Sequence, residues 1–286
     1  MPSVKDFLFD QAVMEKDSFP LLLGPCAIES RDNVMRIAEE IKKIVDELSS
    51  SSLNRGVIAI FKASFDKANR SSIKGFRGPG IDDGLNILSE VRDQFGFPIV
   101  SDVHTEDQAK QAGEVLDMIQ LPAFLCRQTD LVVAAAKTAK VLNIKKGQFM
   151  SPLEVKNIAD KCRETGNEKL FICERGNSFG YNNLVVDMRM FEQVREMGIR
   201  TIFDATHSCQ LPGAGGDKSL GNSHYAPILA RAAVAAGATG LFAETHYNPE
   251  EALSDGPNMI PLAKLKSTLV DVLTVRQALN KDLVKL

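Results

Sequence analysis

Eight short apolar or β-branched runs, each followed by a helical pattern, are the feature that most constrains this fold. We predict strands at about 20–26, 57–63, 98–103, 118–122, 143–147, 169–175, 200–206 and 239–245. Seven steps separate the strand starts at 20 and 239, so the repeat averages about 31 residues, close to the ~30 of a βαβ unit. Eight such units close most economically into a (β/α)8 TIM barrel. A doubly wound open sheet is the alternative.

Helical patterns fill the intervals between these strands. The predicted helices cover 31–48, 82–95, 105–115, 127–142, 151–166, 182–198, 224–237 and 261–279. Ser30 and Thr105 are placed to cap two of them, and Gly96 is placed to end another. Residues 4–16 alternate in polarity and predict a short N-terminal extension or hairpin that plugs one end of the barrel. No linker divides residues 1–286, so we expect a single domain.

Composition and charge narrow the classes of function. The net charge of −3 disfavours nucleic acid, which needs a basic face. No run approaches the roughly 18 apolar residues of a membrane span, and MPSVKDFLFD does not resemble a secretory signal. Five cysteines, an odd number without clustered spacing, fit a reducing compartment. We therefore expect a cytoplasmic protein without a nucleic-acid or membrane partner.

Charged and amide side chains crowd the segment Phe61–Ser72, FKASFDKANRSS, which follows the second predicted strand. Its cations include Lys62, Lys67 and Arg70, with Asn69 beside them. Arginine binds carboxylate and phosphate through a planar fork, and lysine supplies a mobile point charge. The segment therefore suits a small substrate carrying both groups. A solvated loop is the alternative for such a segment taken alone.

Every predicted strand delivers a polar residue to its C-terminal end, where active sites of such barrels lie. These residues are Cys26, Lys62, Asp102 with His104, Gln120, Lys145 with Lys146, Glu174 with Arg175, Asp204 with His207, and Glu244 with His246. Charged residues are rarely buried unless they are paired or take part in function. Strands 2, 5 and 6 bring together Lys62, Lys67, Lys145 and Arg175, which predicts a site for an anionic substrate.

Strands 7, 8 and 1 become neighbours when the barrel closes. They bring His207, Glu244 and Cys26 together, and Asp255 lies in the loop after strand 8. One thiolate, one imidazole and two carboxylates suit a divalent ion such as Zn²⁺ or Fe²⁺. Taken singly, a core cysteine or a hydrogen-bonded structural histidine is the alternative. Cys209 is a weaker candidate for a spare ligand.

Long motifs over about Leu21 to Leu265 resemble the 3-deoxy-D-manno-octulosonate 8-phosphate synthase family. They are FKASFDKANRSS, FRGPG, SDVH, IQLPAFLCRQTDL, NIKKGQF, ERGNSFGYNNLVVDMR, FDATHS and ETHYNPEEALSDGP. The resemblance implies a (β/α)8 barrel and a transferase that joins phosphoenolpyruvate to D-arabinose 5-phosphate. Its product would enter lipopolysaccharide biosynthesis, which implies the cytoplasm of a Gram-negative-type cell.

The resemblance also implies roles for particular residues. Phosphoenolpyruvate contacts fall on Lys62, Ser64, Lys67, Gln120, Ala123, Lys145 and Arg175. Pentose-phosphate contacts fall on Asn69, Arg70 and Ser71, with Arg127 supplied by a neighbouring subunit, which implies an oligomer, commonly a homotetramer. We expect the catalytic residues to be Lys62, Lys67, Asp102, Lys145 and His207.

The resemblance assigns a metal ion to Cys26, His207, Glu244 and Asp255. One branch of the family has cysteine at the position of Cys26 and requires a divalent metal, whereas the other has asparagine there and does not. GPCAIES resembles the metal-dependent branch, so we expect Fe²⁺, Zn²⁺, Mn²⁺ or Co²⁺ as the cofactor.

Three other functions are alternatives to this expectation. A related synthase uses erythrose 4-phosphate, but its second-strand motif resembles KPRTS, whereas this chain has KASFDKANRSS. A Schiff-base aldolase would use Lys62 or Lys145 as nucleophile. A non-catalytic binding barrel is disfavoured because every expected catalytic position is filled.

Overall fold

A computed structural model describes residues 4–70, 72–214 and 220–282, and within them eight parallel strands close into a barrel. The strands are β1 Phe19–Gly24, β2 Val57–Lys62, β3 Ile99–Asp102, β4 Met118–Leu121, β5 Val141–Lys145, β6 Leu170–Glu174, β7 Arg200–Asp204 and β8 Gly240–His246. Each pairs with the next, and β1 pairs with β8, where Leu21 lies opposite Leu241. The predicted (β/α)8 barrel is confirmed, and the open sheet is wrong.

Helices surround the sheet. Over the described ranges they are α1 Val4–Met14, α2 Arg31–Ser49, α3 Ile81–Phe95, α4 Glu106–Gly113, α5 Thr129–Lys137, α6 Val155–Arg163, α7 Arg189–Glu196, α8 Ala226–Ala235 and α9 Leu262–Asp282. Ser30 and Thr105 cap α2 and α4 as predicted, and Gly96 ends α3 with φ +74°. None of these helices combines the length and apolarity that a bilayer span requires.

The predicted N-terminal hairpin is wrong, because residues Val4–Met14 form helix α1. Phe9 and Val13 lie one helical turn apart, and both pack, with Met14, against the apolar cluster inside the barrel. Burial of this face outweighs the local alternation that suggested strands. The segment still plugs the N-terminal end of the barrel, as the sequence predicted.

The predicted helix over 182–198 is too long at its start. Asn177–Ser178 and Leu184–Val185 instead pair as a two-stranded antiparallel ribbon, and α7 begins only at Arg189. Asn182 has φ +54° and Gly180 has φ +76°, which are turn conformations that no α-helix contains. The ribbon therefore stands at the C-terminal face, after β6.

The barrel interior changes character along its axis. Near α1 it is filled by apolar side chains such as Leu22, Ile60, Met118 and Phe171. Towards the strand C-termini it is filled by buried charged and amide groups, among them Lys62, Asp102, Gln120, Asp204 and Glu244. An apolar floor thus supports a polar chamber, and the chamber lies where the sequence placed the site.

Candidate active site

A cavity of about 620 Å³ opens at the C-terminal face of the barrel. Its walls include Lys67, Asn69, Arg70, Asp102, His104, Ala123, Lys145, Gln148, Arg175, His207, Gln210 and Asp255. These residues come from the loops after β2 to β8. The predicted convergence of strand-end groups on one chamber is therefore observed.

Cations dominate one side of this cavity. Lys145 and Arg175 are 7% and 6% exposed, and both face the cavity beside Lys67. Arg175 Nε is buried and has no hydrogen-bond partner within the described residues. A buried, unsatisfied guanidinium N–H is costly unless a ligand accepts from it. This wall is thus built to receive an anion.

Asp102 compensates the lysines of β2 and the following loop. Its carboxylate accepts hydrogen bonds from Ser64 Oγ and, at 2.6 Å, from Gln120 Nε2. Burial opposes its charge, but Lys62 at 4.0 Å and Lys67 at 3.8 Å hold the pKa of Asp102 well below its ordinary value. The acid therefore stays ionised and fixes both ammonium groups.

Asp204 compensates the charge of Lys145 on β5 and also contacts His207, which follows β7. Its Oδ2 lies 2.8 Å from Lys145 Nζ and 2.8 Å from His207 Nδ1. Burial disfavours the charge of Lys145, but Asp204 raises the pKa of that amine above its ordinary value. Because Asp204 accepts a hydrogen bond from Nδ1–H of His207, the Nε2 atom of His207 faces away from Asp204.

Directly beside these lysines lies a group that we call the metal cluster: Cys26, His207, Glu244 and Asp255. His207 Nδ1 is 3.2 Å from Lys145 Nζ, and Glu244 Oε1 is 4.0 Å from Lys67 Nζ. Ligand atoms of Cys26, Glu244 and Asp255 all lie within 4.8 Å of one another. His207 Nε2 lies 3.8 Å from Glu244 Oε2 and 3.8 Å from Asp255 Oδ2. The sulfur, nitrogen and carboxylate donors match a borderline-soft divalent ion.

One observation on the metal cluster favours a bound cation. Glu244 Oε2 is buried and accepts no hydrogen bond within the described residues, and a cation beside it would supply the missing partner. Burial, followed by the nearby Glu244 carboxylate, raises the pKa of the Cys26 thiol above its ordinary value, so a metal would have to displace the thiol proton on binding. The residues present therefore fit a divalent metal.

Several predicted residues are fully buried and do not line the cavity: Cys26, Lys62, Ser64, Gln120 and Glu244. Four further positions also differ from the prediction. Ser71 lies outside the described residues. Arg127 is exposed and does not line the described part of its own cavity. His246 lies elsewhere, with Nε2 at 3.2 Å from Asn33 Nδ2. β5 ends at Lys145, two residues earlier than predicted, so Lys146 lies beyond the strand. Lys146 does not line the cavity, and its Nζ pairs with Glu174 Oε2 at a distance of 3.4 Å.

Sequence reasoning missed three residues. Asn143, inside β5, donates to Gln120 Oε1 at 2.7 Å and so supports Asp102 from below. A polar residue within the apolar run VLNIK was the available signal. Gln210 and Ser254 bridge residues from different strands, and such neutral loop residues carry no pattern that marks them.

A model of the DAHP synthetase I family matches residues 10–280. The chain belongs to this family. The (β/α)8 barrel and the site at its C-terminal face are what the motif resemblance implied.

Curated relatives sharpen the family assignment. The chain is 51% identical over 269 residues to a protein from Synechococcus sp., covering 93% of this chain and 92% of the relative. It is 52% identical over 261 residues to a protein from Desulfatibacillum aliphaticivorans, covering 91% and 93%. It is 53% identical over 251 residues to one from Acidithiobacillus ferrooxidans, covering 88% and 87%. Each is named 2-dehydro-3-deoxyphosphooctonate aldolase, so the resemblance inferred from the motifs is confirmed.

The buried acid Asp102 generates a prediction about pH. Its pKa is lowered in the folded state, so it contributes stability above the ordinary Asp pKa of about 3.9, and that contribution is lost as pH falls. Asp102→Asn should be less stable than the wild type at neutral pH and should lose less unfolding free energy on acidification. Urea unfolding at neutral pH and at about pH 3 measures both effects.

The control for this experiment is Asp93→Asn, on the exposed surface of α3, which should follow the wild-type curve. Parallel stability curves for the wild type and Asp102→Asn would contradict the assignment of Asp102 as the compensating charge.

Proposed function

We propose that this protein condenses phosphoenolpyruvate with D-arabinose 5-phosphate and water, giving 3-deoxy-D-manno-octulosonate 8-phosphate and inorganic phosphate. The observation that carries the proposal is a cavity whose cationic wall lies directly beside the metal cluster. The relatives' name denotes a phosphorylated eight-carbon 3-deoxy acid, which is the product class of this reaction.

The cationic wall suits phosphoenolpyruvate. This substrate carries phosphate and carboxylate on neighbouring atoms, and holding both requires several converging cations. Lys145 faces the cavity from the end of β5, and Lys67 and Arg175 face it from the loops after β2 and β6. Because Asp102 and Asp204 fix the lysines, little reorganisation is needed when the anion binds.

The second substrate suits the loop after β2. Asn69, Arg70 and Ser72 line the cavity from this loop. We assign the phosphate of the pentose to this loop, including Ser71, which places its aldehyde near the centre of the cavity. The enol carbon then attacks the aldehyde, water adds to the adjacent carbon, and phosphate leaves. Cations around that carbon stabilise the charge that shifts during these steps.

The metal cluster would hold one divalent ion between these two regions. Such an ion, when bound, supplies Lewis-acid polarisation of an oxygen or activation of water. His207 contributes Nε2, because its Nδ1 faces Asp204 at 2.8 Å. Lys62 Nζ donates to Glu244 Oε1 at 2.8 Å, which orients that carboxylate and leaves Oε2 directed to the cluster.

The buried ion pairs argue against a Schiff-base aldolase. A nucleophilic lysine needs a neutral amine, usually through a lowered pKa. The pKa of Lys145 is instead raised, because the attraction of Asp204 overcomes burial. Lys62 is paired with Glu244 and donates to the backbone oxygen of Cys26 at 2.9 Å. Both lysines therefore serve as charges and not as nucleophiles.

The direct test of this function is phosphate release from phosphoenolpyruvate with a panel of four- and five-carbon aldose phosphates. We expect turnover with arabinose 5-phosphate and much slower turnover with erythrose 4-phosphate. The product should be the eight-carbon acid by mass spectrometry. Preference for erythrose 4-phosphate would assign the related synthase function, and no phosphate release with any aldose would refute the proposal.

We also propose that the protein forms a homotetramer. Large apolar side chains are exposed on the loops around the cavity mouth: Phe124, Phe149, Leu153, Phe179, Tyr181 and Val185. Ser178 N donates to Gln148 O at 3.0 Å, which joins the ribbon to the loop after β5. Exposed apolar groups on adjoining loops favour a contact between copies of the chain. Arg127 is exposed and follows Phe124 by three residues, and we assign it to the cavity of a neighbouring copy.

Mixed oligomers test the shared role of Arg127. Arg127→Ala should weaken binding of arabinose 5-phosphate far more than that of phosphoenolpyruvate. Mixing it with protein inactivated by Lys62→Ala should restore some activity, because some cavities would then combine an intact Lys62 with an intact neighbouring Arg127. Absence of rescue, with subunit exchange shown by mass spectrometry, would count against the shared site.

A cytoplasmic setting also belongs to the proposal, since Cys26 must stay reduced to act as a ligand. All five cysteines are free and buried in the structure. A reducing compartment keeps such thiols available. Fractionation of the source cells should recover the activity with soluble cytoplasmic markers, and recovery in a periplasmic or membrane fraction would contradict it.

Substitution at Cys26 tests the metal. The purified protein should bind one divalent ion per chain, and exhaustive chelation should abolish turnover until Mn²⁺, Co²⁺ or Fe²⁺ is added. Cys26→Asn should lower metal affinity by at least about 100-fold, which exceeds the ~10–100-fold typical of losing an outer hydrogen-bond partner. By resemblance to the asparagine branch, this variant should keep measurable metal-free turnover.

The matched comparison is His207→Ala, which loses a ring nitrogen that no neighbouring group replaces, and which should not recover metal-free turnover. Elemental analysis and turnover rates measure both variants. Full wild-type activity at a metal content near zero would contradict the metal assignment.

A further inference from the structure

Gln210 joins the cationic wall to the metal cluster. It accepts a hydrogen bond from Arg175 Nη2 at 2.5 Å and donates from Nε2 to Asp255 Oδ1 at 2.8 Å. Both contacts use the amide in a defined orientation, since only the oxygen can accept and only the nitrogen can donate. Movement of the guanidinium is therefore transmitted to the carboxylate through one rigid amide group.

Ser254, the residue before Asp255, makes a corresponding connection between Arg70 and Cys26. Its Oγ accepts from Arg70 Nη1 at 2.7 Å and from the Cys26 thiol at 3.2 Å. Arg70 also donates from Nη2 to Leu253 O at 3.3 Å. A hydroxyl can accept from a thiol or donate to a thiolate, so this bridge persists whether or not Cys26 holds a metal.

We propose that Gln210 and Ser254 are positioning residues that couple metal binding to the two substrate anions separately. Gln210 links the metal to phosphoenolpyruvate through Arg175, and Ser254 links it to the pentose phosphate through Arg70. This inference rests on the proposed function, because it takes the two arginines as the receptors of those two anions.

The coupling follows from the conformational entropy that is lost when Gln210 or Ser254 is held in one orientation. An anion on Arg175 fixes the guanidinium, which fixes Gln210 and with it the carboxylate of Asp255. A metal then binds a ligand whose conformational freedom has already been lost, so it binds more tightly. The effect is reciprocal, since a metal that orders Asp255 must strengthen the anion site by the same factor. The same argument applies to Ser254 between Arg70 and Cys26.

Cobalt binding measures each link without requiring turnover. Co²⁺ is titrated into metal-free protein, and the thiolate-to-cobalt absorption band reports ligation by Cys26. The dissociation constant is measured alone, with saturating phosphoenolpyruvate and with saturating arabinose 5-phosphate. In the wild type each substrate should tighten Co²⁺ by about fivefold or more, the usual lower range of such couplings.

Two variants should separate the links. Gln210→Met retains side-chain length but makes neither hydrogen bond, so it should lose the phosphoenolpyruvate effect and keep the arabinose 5-phosphate effect. Ser254→Ala should show the reverse pattern, so each variant is the matched control of the other. Gln210→Asn, which keeps the amide but shortens its reach, should behave as Gln210→Met does and replaces it if that variant does not fold. Gln111→Met, on the exposed face of α4, should resemble the wild type.

The inference would be overturned if both substrates still tightened Co²⁺ binding by the wild-type factor in both variants. It would also be overturned if each variant lost the two effects equally. Absence of any substrate effect on Co²⁺ in the wild type, or absence of Co²⁺ binding, would also overturn it. If coupling is absent while the wild type still converts phosphoenolpyruvate and arabinose 5-phosphate, only this inference fails. Failure to release phosphate in the panel assay refutes the proposed function instead.

Discussion

The buried ion pair between Lys62 and Glu244 is the interaction on which the rest of the site depends. Lys62 is 1% exposed and Glu244 is fully buried, so each charge would be strongly destabilising without the other. Together they connect β2 to β8, the two strands that flank β1, and place an ammonium group against the metal cluster. Asp102 and Asp204 extend the same compensation to Lys67 and Lys145. The chamber is thus nearly balanced in charge, and its lysines lie directly beside the metal-binding acid Glu244.

This charge balance explains how one barrel can hold two anions and a cation close together. Within the part of the chain that the structure describes, Arg175 retains an unsatisfied N–H and Glu244 retains an unsatisfied oxygen. Each unsatisfied atom points to a ligand of opposite charge. Burial of such unsatisfied groups lowers the stability of the fold. The apolar floor of the barrel and its packing against the outer helices supply the stability that offsets this loss.

Much of this arrangement could be predicted from sequence, because strand ends in a closed barrel meet by geometry alone. The sequence therefore predicted that Cys26, His207 and Glu244 converge, and their role as metal ligands stays a prediction. Local patterns failed where tertiary packing decides the outcome: α1 is helical because Phe9 and Val13 pack into the barrel, and the turn at Asn182 interrupts a periodic segment. Gln210 and Ser254 could not be found, since a neutral bridge is defined only by the partners at its two ends.

The central claim is that the cavity separates two anion sites, with Arg175 serving phosphoenolpyruvate and Arg70 serving the pentose phosphate. Calorimetric titration of phosphoenolpyruvate alone into wild type, Arg175→Met and Arg70→Met tests it most directly. The account predicts a loss of about 30-fold or more for Arg175→Met, near 2 kcal/mol, and a change within about threefold for Arg70→Met. Equal losses in the two variants, or a larger loss for Arg70→Met, would contradict the account.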